Sequence, residues 1–273
     1  MPRFFLSYAT ANDDPGYAYD FAHFGNMLRR DPGVPRVEMY LAISEATPRS
    51  RRDERTSARL AAQLEASERI CLRSMDFKSN VGRDFSSAAS NLRRIAQAAG
   101  DDDFVLFLNR SAYGPLTDNW YHQYVVQYLK FANAQLCGST INFCGHPNLP
   151  PRSAATHVQT YAFLGRMRDF SQFLDYFPGE RETERLRVID EGEIGLSNRI
   201  LNRGGALTCL AWPDYAFTKD APTSPELPHR DIKEEVRGLP FQYRAEGYPV
   251  TWWRTLPART LRIAQFVRAV ASR

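Results

Sequence analysis

Glu191-Gly192-Glu193, followed by Ile194-Gly195-Leu196-Ser197 and closed by Gly204-Gly205, sets two carboxylates at the head of a helical pattern. Ile194, Ser197 and Leu201 recur at three- and four-residue steps, with Leu196 and Ile200 beside them. The glycine pair supplies the stop, since glycine accepts the left-handed conformation that ends helices. A carboxylate placed this way can take the proton of a hydroxyl. It can equally be an ordinary first-turn acid that complements the positive end of a helix.

Two further polar clusters stand at the ends of strand-like runs. Asn80-Val81-Gly82-Arg83-Asp84 follows one run. There Gly82 admits a sharp turn or a close backbone approach to a ligand. Asp84 can accept from a ribose hydroxyl or a base edge, and Arg83 can meet phosphate; the alternative is that Asp84 caps a helix beginning at Phe85. Asn109-Arg110-Ser111-Ala112-Tyr113-Gly114-Pro115 follows an almost wholly apolar run. In open α/β sheets ligands bind beyond the carboxyl ends of the strands, which is where both clusters fall. Asp101, Asp102 and Asp103 precede their strand and read as a solvated turn at the other end. His157 can bind an acceptor or phosphate, or serve as a satisfied structural residue. Trp120 and Tyr121 can pack a sugar ring or fill the core. His23, His122, His146 and His229 share no metal-ligand spacing, and no nucleophile elbow, P-loop or dinucleotide fingerprint is present.

The elements that must hold these residues alternate. Strands are predicted at Phe4–Ala9, Arg36–Ser44, Arg69–Met75, Asp103–Asn109 and Leu136–Asn142. Helices are predicted at Tyr17–Arg30 (Phe21, Phe24 and Leu28 inward), Asp53–Ala66, Phe85–Ala99 and Asp118–Ala134. That alternation argues for βαβ units and a mostly parallel sheet. Farther on, a strand is predicted at His157–Arg166, a helix at Asp169–Phe177, then the Glu191 helix and a strand at Ala206–Trp212. Residues 1–212 are expected to form one domain. Residues 213–273 read as an extension packed on it, with helical spacing near its end.

With 273 residues and 43% hydrophobic content, the chain can bury a sizeable core. Four scattered cysteines without paired spacing suit reduced thiols in a cytoplasmic protein. No apolar run is long enough to cross a bilayer. A net charge of +4 does not call for a nucleic-acid partner. From Trp252 onward arginines stand among apolar residues with no acid. Such a segment can dock on the domain or lie on an anionic membrane, peripheral to the inner membrane.

The ordered set Asn80-x-Gly82-x-Asp84, Val105-Leu106-Phe107-Leu108-Asn109-x-Ser111-x-x-Gly114-Pro115, His157-Val158-Gln159-Thr160-Tyr161 and the Glu191 helix resembles bacterial glycosyltransferases of polysaccharide and O-antigen assembly, near the rhamnan-synthesis group. The resemblance spans roughly residues 4–212. It implies a GT-A-like, Rossmann-type sheet flanked by helices, a nucleotide-sugar donor, and a glycan or lipid-linked saccharide acceptor. By the same resemblance, Asn80, Gly82, Arg83, Asp84, Asn109, Arg110 and Ser111 would meet the donor. Asp84 would touch the nucleoside, and Asn109 and Ser111 would flank the diphosphate. His157, Gln159 and Trp120 would meet the acceptor, and Glu193, with Glu191 beside it, would be the base of an inverting transfer. Members of that fold often hold Mg²⁺ or Mn²⁺ on an Asp-x-Asp pair. Here the corresponding residues are Asn109-Arg110-Ser111, with no carboxylate for a hard cation. The same loss is what a non-catalytic member that binds a glycan or a partner would show.

Overall fold

The first half of the chain lays down strand and helix in turn: β1 (Phe4–Ala11), α1 (Ala18–Arg29), β2 (Val37–Glu45), α2 (Arg51–Glu65), β3 (Ile70–Ser79), α3 (Arg83–Ile95) and β4 (Phe104–Asn109). The second half is more broken. It comprises β5 (Ala112–Tyr113), α4 (Trp120–Leu129), β6 (Ala134–Gly138), β7 (Ile141–Asn142), β8 (His157–Val158), β9 (Ala162–Arg166), α5 (Met167–Phe170), α6 (Arg185–Arg187), α7 (Gly195–Asn202), β10 (Ala206–Cys209), β11 (Ala216–Phe217) and β12 (Gln242–Tyr243). This computed structural model describes residues 1–13, 17–65, 67–146, 148–149, 155–220 and 238–243.

Eight strands form one sheet in the order β11-β10-β6-β9-β4-β1-β2-β3. The run β4-β1-β2-β3 is parallel throughout, and β6 and β10 pair in parallel. β9 runs against both β4 and β6, and β11 against β10. The fold is therefore α/β with a mostly parallel sheet flanked by helices. Alternation of side chains along the strands feeds two cores. Leu6, Tyr8, Leu106 and Leu108 face Phe24 of α1, Leu60 of α2 and Trp120 and Tyr124 of α4. Phe5, Val105 and Phe107 face Phe85 and Leu92 of α3 and Leu196 and Ile200 of α7. Among the described residues no helix is long and apolar enough to cross a membrane.

Several elements depart from the sequence reading. The strand expected over Leu136–Asn142 divides into β6 and β7, and that over His157–Arg166 into β8 and β9. The apolar pattern runs through both breaks, but the pairing does not. β9 joins the main sheet, while β8 leaves it to pair with β7. The helix expected from Asp169 is only α5 and a 3₁₀ turn at Ser171–Phe173. Leu28, expected inward, is 37% exposed. Beyond residue 212, β11 pairs with β10, β12 pairs with β5, and Phe241 is buried against Trp120 and Tyr124. The basic amphipathic run near the C-terminus, with Trp252, Trp253 and Arg254, and also His229, lie outside the described residues. All four cysteines are free thiols.

Candidate active site

The parallel register brings the carboxyl ends of β1, β2 and β4 level, with Ala9 beside both Ala42 and Asn109. α3 starts at this rim. Gly82 takes a left-handed φ of 68°, its N–H donates to the Glu182 carbonyl at 2.8 Å, and a Cβ there would stand 2.1 Å from the Glu180 carbonyl oxygen. Glycine is thus required by packing against the 180–182 backbone, not by approach to a ligand. Arg83, at φ 49°, extends the left-handed turn and is exposed.

Asp84 lies inside the first turn of α3, two residues beyond the cap position at Gly82, and its carboxylate accepts from its own backbone N–H. Its carboxylate accepts from the Asn109 side-chain amide at 2.7 Å, and Asn109 Oδ1 accepts from the Ser111 N–H at 2.9 Å. The capping alternative for Asp84 is thereby replaced by a bridge from α3 to the end of β4. Burial raises the Asp84 pKa, against the Asn109 hydrogen bond that lowers it. A cavity of about 20 Å³ lies between Ser7, Asp84, Asn109 and Thr160 over Phe85, Phe107 and Phe163. That is room for about one water.

The Glu191 helix packs near the same rim, and its start differs from the sequence reading. The helix begins at Arg185, and Val188–Ile194 is a π-helical turn running into α7. Glu191 and Glu193 therefore lie mid-helix, too far from its end to complement a dipole. π turns are rare and cluster at functional sites. Glu193 turns inward. The Thr160 hydroxyl donates to it, His157 Nε2 faces it at 3.9 Å, and 27% of its side chain is exposed. Burial first, and then the charge of Asp84, push its pKa up from 4.5 to about 7. His157 is buried and its pKa lowered by that burial, so the ring is neutral. Its Nδ1–H donates to the Ala155 carbonyl at 2.5 Å, leaving Nε2 to accept from the Gln159 amide at 3.2 Å. Contact with Glu193 is thus not an ion pair. Ser197 Oγ accepts from the Val158 N–H at 3.0 Å and ties α7 to β8.

Asp84, Asn109, Ser111, His157, Gln159 and Glu193 thus converge at one rim. Others do not join them. Glu191 points to Arg187 at 3.5 Å, along the outer side of the helix. Arg110, expected to face a donor, is ion-paired with Asp13 and donates to the Ala11 carbonyl, so its charge is taken up at the end of β1. Asn80 is exposed, and its carbonyl accepts from the Arg83 N–H at 3.1 Å, closing the turn. Trp120 is fully buried, with its indole N–H on the Arg30 carbonyl at 3.4 Å. Its faces are covered by Tyr121 and Phe241, which corrects its assignment to an acceptor.

Three residues at the rim escaped sequence reasoning. Lys78, paired in register with Ser44, acts on Asp84, and burial lowers its pKa to about 8. Arg185 acts on Glu193, and Thr160 hydrogen-bonds it. Lys78 follows the strand expected over Arg69–Met75 and Thr160 stands in the His157–Tyr161 run, neither with a role of its own; Arg185 stands in a run of alternating charges. The donor set does not suit a divalent cation. Asn109 is committed to Asp84 and Ser111, Arg110 is itself a cation, and no group of three metal-ligating side chains exists among the described residues.

Fold and rim together define an α/β protein with two carboxyls near the ends of its strands, close enough for the charge of Asp84 to act on Glu193. No family model matches the chain, and no curated protein matches it in sequence. Solved structures are similar in chain path. The mannosyltransferase PcManGT from Pyrobaculum calidifontis, solved with GDP-Man and Mn²⁺, is 12% identical with a TM-score of 0.48, over 77% of this chain and 55% of that one. The galactosyltransferase LgtC, in complex with donor and acceptor sugar analogs, is 11% identical with a TM-score of 0.42, over 76% and 73%. A 4-diphosphocytidyl-2C-methyl-D-erythritol synthase is 10% identical with a TM-score of 0.44, over 81% and 94%. The chain spans about half the length of PcManGT. Likeness at this level concerns chain path and carries no argument for activity.

Proposed function

We propose that this protein is an inverting glycosyltransferase that moves a sugar from a nucleotide-sugar donor to a hydroxyl of a glycan or lipid-linked saccharide, in the synthesis of a bacterial surface polysaccharide. The observation that carries the reading is Glu193: a carboxyl pushed up to about 7, partly open to solvent, and held at the strand ends opposite Asp84. A base works best when its pKa lies near the working pH. Glu193 takes the acceptor proton as that oxygen bonds to the anomeric carbon, and the bond to the nucleoside diphosphate breaks with its electron pair. Asp84 accepts from the nucleoside, and Asn109 and Ser111 flank the diphosphate. His157 and Gln159 stand on the acceptor side. Lys78, Arg83 and Arg185 offer positive charge to the leaving group, the part expected of Arg110 before its pairing with Asp13.

The test is calorimetric binding of UDP, GDP, dTDP and CMP with and without Mn²⁺, followed by mass spectrometry of products from the matching sugar donor. Selective binding of one nucleotide, and transfer lost in Glu193→Gln, are expected. Binding of none, even with acceptor saccharide present, would overturn the reading. It would favour the non-catalytic, glycan- or partner-binding alternative that the missing Asp-x-Asp pair motivates.

A further inference from the structure

Arg93, on α3 away from the rim, is held by four hydrogen bonds. Its Nε donates to the Leu174 carbonyl at 2.7 Å, and one terminal nitrogen donates to the Asp175 carbonyl at 3.3 Å and to the two Glu180 oxygens at 2.9 and 2.7 Å. Glu180 is buried, and the exposed Arg181 guanidinium also approaches it, at 4.0 Å.

The segment held in this way, residues 174–182, touches the carriers of both rim carboxyls. On one side, the Gly82 N–H donates to the Glu182 carbonyl and the Gly82 Cα packs on Glu180, two residues before Asp84. On the other, a Cβ on Gly179 would fall 2.8 Å from Gly192 Cα, and Gly179 has a left-handed φ of 78°. Gly192 neighbours Glu193, and its own Cβ would fall 2.7 Å from the Phe85 ring. Arg187 adds a contact to Glu182 at 3.6 Å. The segment therefore meets α3 at Gly82 and the π-helical turn at Gly192 backbone to backbone, and the Phe85 ring fills the remaining space between α3 and Gly192. A displacement of the segment passes to both walls of the cleft.

We propose that Arg93 and Glu180 are positioning residues whose ion pair clamps residues 174–182 between α3 and the π-helical turn and so sets the spacing of Asp84 and Glu193. Neither reaches the rim itself. The consequence for catalysis rests on the reading of Glu193 as the base, while the clamp can be tested without it. Releasing the segment would let water reach Glu193 and draw it away from Asp84. Glu193 is faced by Asp84 from α3, by His157 and Thr160 from β8 and the turn after it, and by Arg185 from α6.

The experiment is a side-chain NMR titration of Glu193 in full-length protein labelled with ¹³C-glutamate, the resonance assigned by its loss in Glu193→Gln. Arg93→Met and Glu180→Gln are compared with wild type. Arg94→Met, which removes only the neighbouring ion pair to Asp76, is the control. A midpoint near 7 is expected in wild type and the control, with a fall of about one unit or more in the two clamp variants. Arg93→Lys should recover part of the fall. Should Arg93→Met fail to fold, Glu180→Gln decides, since it removes the ion pair while keeping the size of the side chain. An unchanged midpoint in a folded clamp variant would make the pair merely structural and overturn the proposal, as would a wild-type midpoint in the ordinary carboxylate range. A shifted midpoint in a protein that transfers no sugar would leave the clamp standing and remove the proposed reaction.

Discussion

Replacing Glu193 by glutamine removes an ionisable group and keeps its shape. The folded protein holds this carboxyl at about 7 against 4.5 for an unperturbed one. A raised value means that the folded state binds the proton more tightly than the unfolded chain, so ionisation works against folding. Below about pH 4.5 both states are protonated and the group costs nothing. As pH rises the unfolded chain ionises first and stability falls, until the loss is complete above about pH 7. At ~1.4 kcal/mol per pKa unit the gap corresponds to about 3 kcal/mol. The exposed quarter of the side chain trims this to about 2–3 kcal/mol. Glu193→Gln is therefore expected to match wild type within about 1 kcal/mol at pH 5 and to exceed it by about 2–3 kcal/mol at pH 8. Urea denaturation of both proteins at the two pH values, with equal slopes, measures this. The same offset at both values, or a variant less stable at pH 8, would refute the account of Glu193 as a strained base.

Gly82→Ala should cost about 2–4 kcal/mol, because a Cβ meets the Glu180 carbonyl oxygen at 2.1 Å on a left-handed backbone; the denaturant midpoint reports it. Trp120→Phe should lower stability by about 1–3 kcal/mol and leave nucleotide and saccharide binding unchanged, since the indole is enclosed by the core. A loss of saccharide affinity in that variant would restore Trp120 to the acceptor side.

The alternation of β1 to β4 with α1 to α3 was legible because each strand is an apolar run bounded by turn residues and each helix carries one apolar face. Asn80–Asp84 and Asn109–Ser111 were legible as rim residues for the same reason: they follow such runs. What escaped was decided by partners far along the chain. Nothing in Ser139-Thr140 or Gln159-Thr160-Tyr161 announces that pairing stops there. The breaks follow from β9 inserting antiparallel between β4 and β6, leaving β8 to β7. The π turn leaves no periodic trace distinct from an α-helix over seven residues, so the helix was expected to begin where the carboxyls stand. Trp120 carries both an apolar body and a polar edge, and composition alone does not separate a sugar platform from a core residue. Arg110 was read as a free cation because Asp13, its partner, lies at the end of a different strand.

Because the two walls of the cleft come from stretches of chain more than a hundred residues apart, the cleft has an order of assembly. Asp84 belongs to the run of β1 to α3, in which β1 pairs with β2 and β2 with β3 as neighbouring βαβ units, and Asn109 joins it when β4 closes on β1. Glu193 arrives only when the π-helical turn settles against Phe85, after β9 has threaded between β4 and β6. Contacts that close long loops are formed late, since the chain must surrender most of its freedom before they are made. The side of the rim that carries Glu193 is therefore expected to be the last part of the domain to take its place.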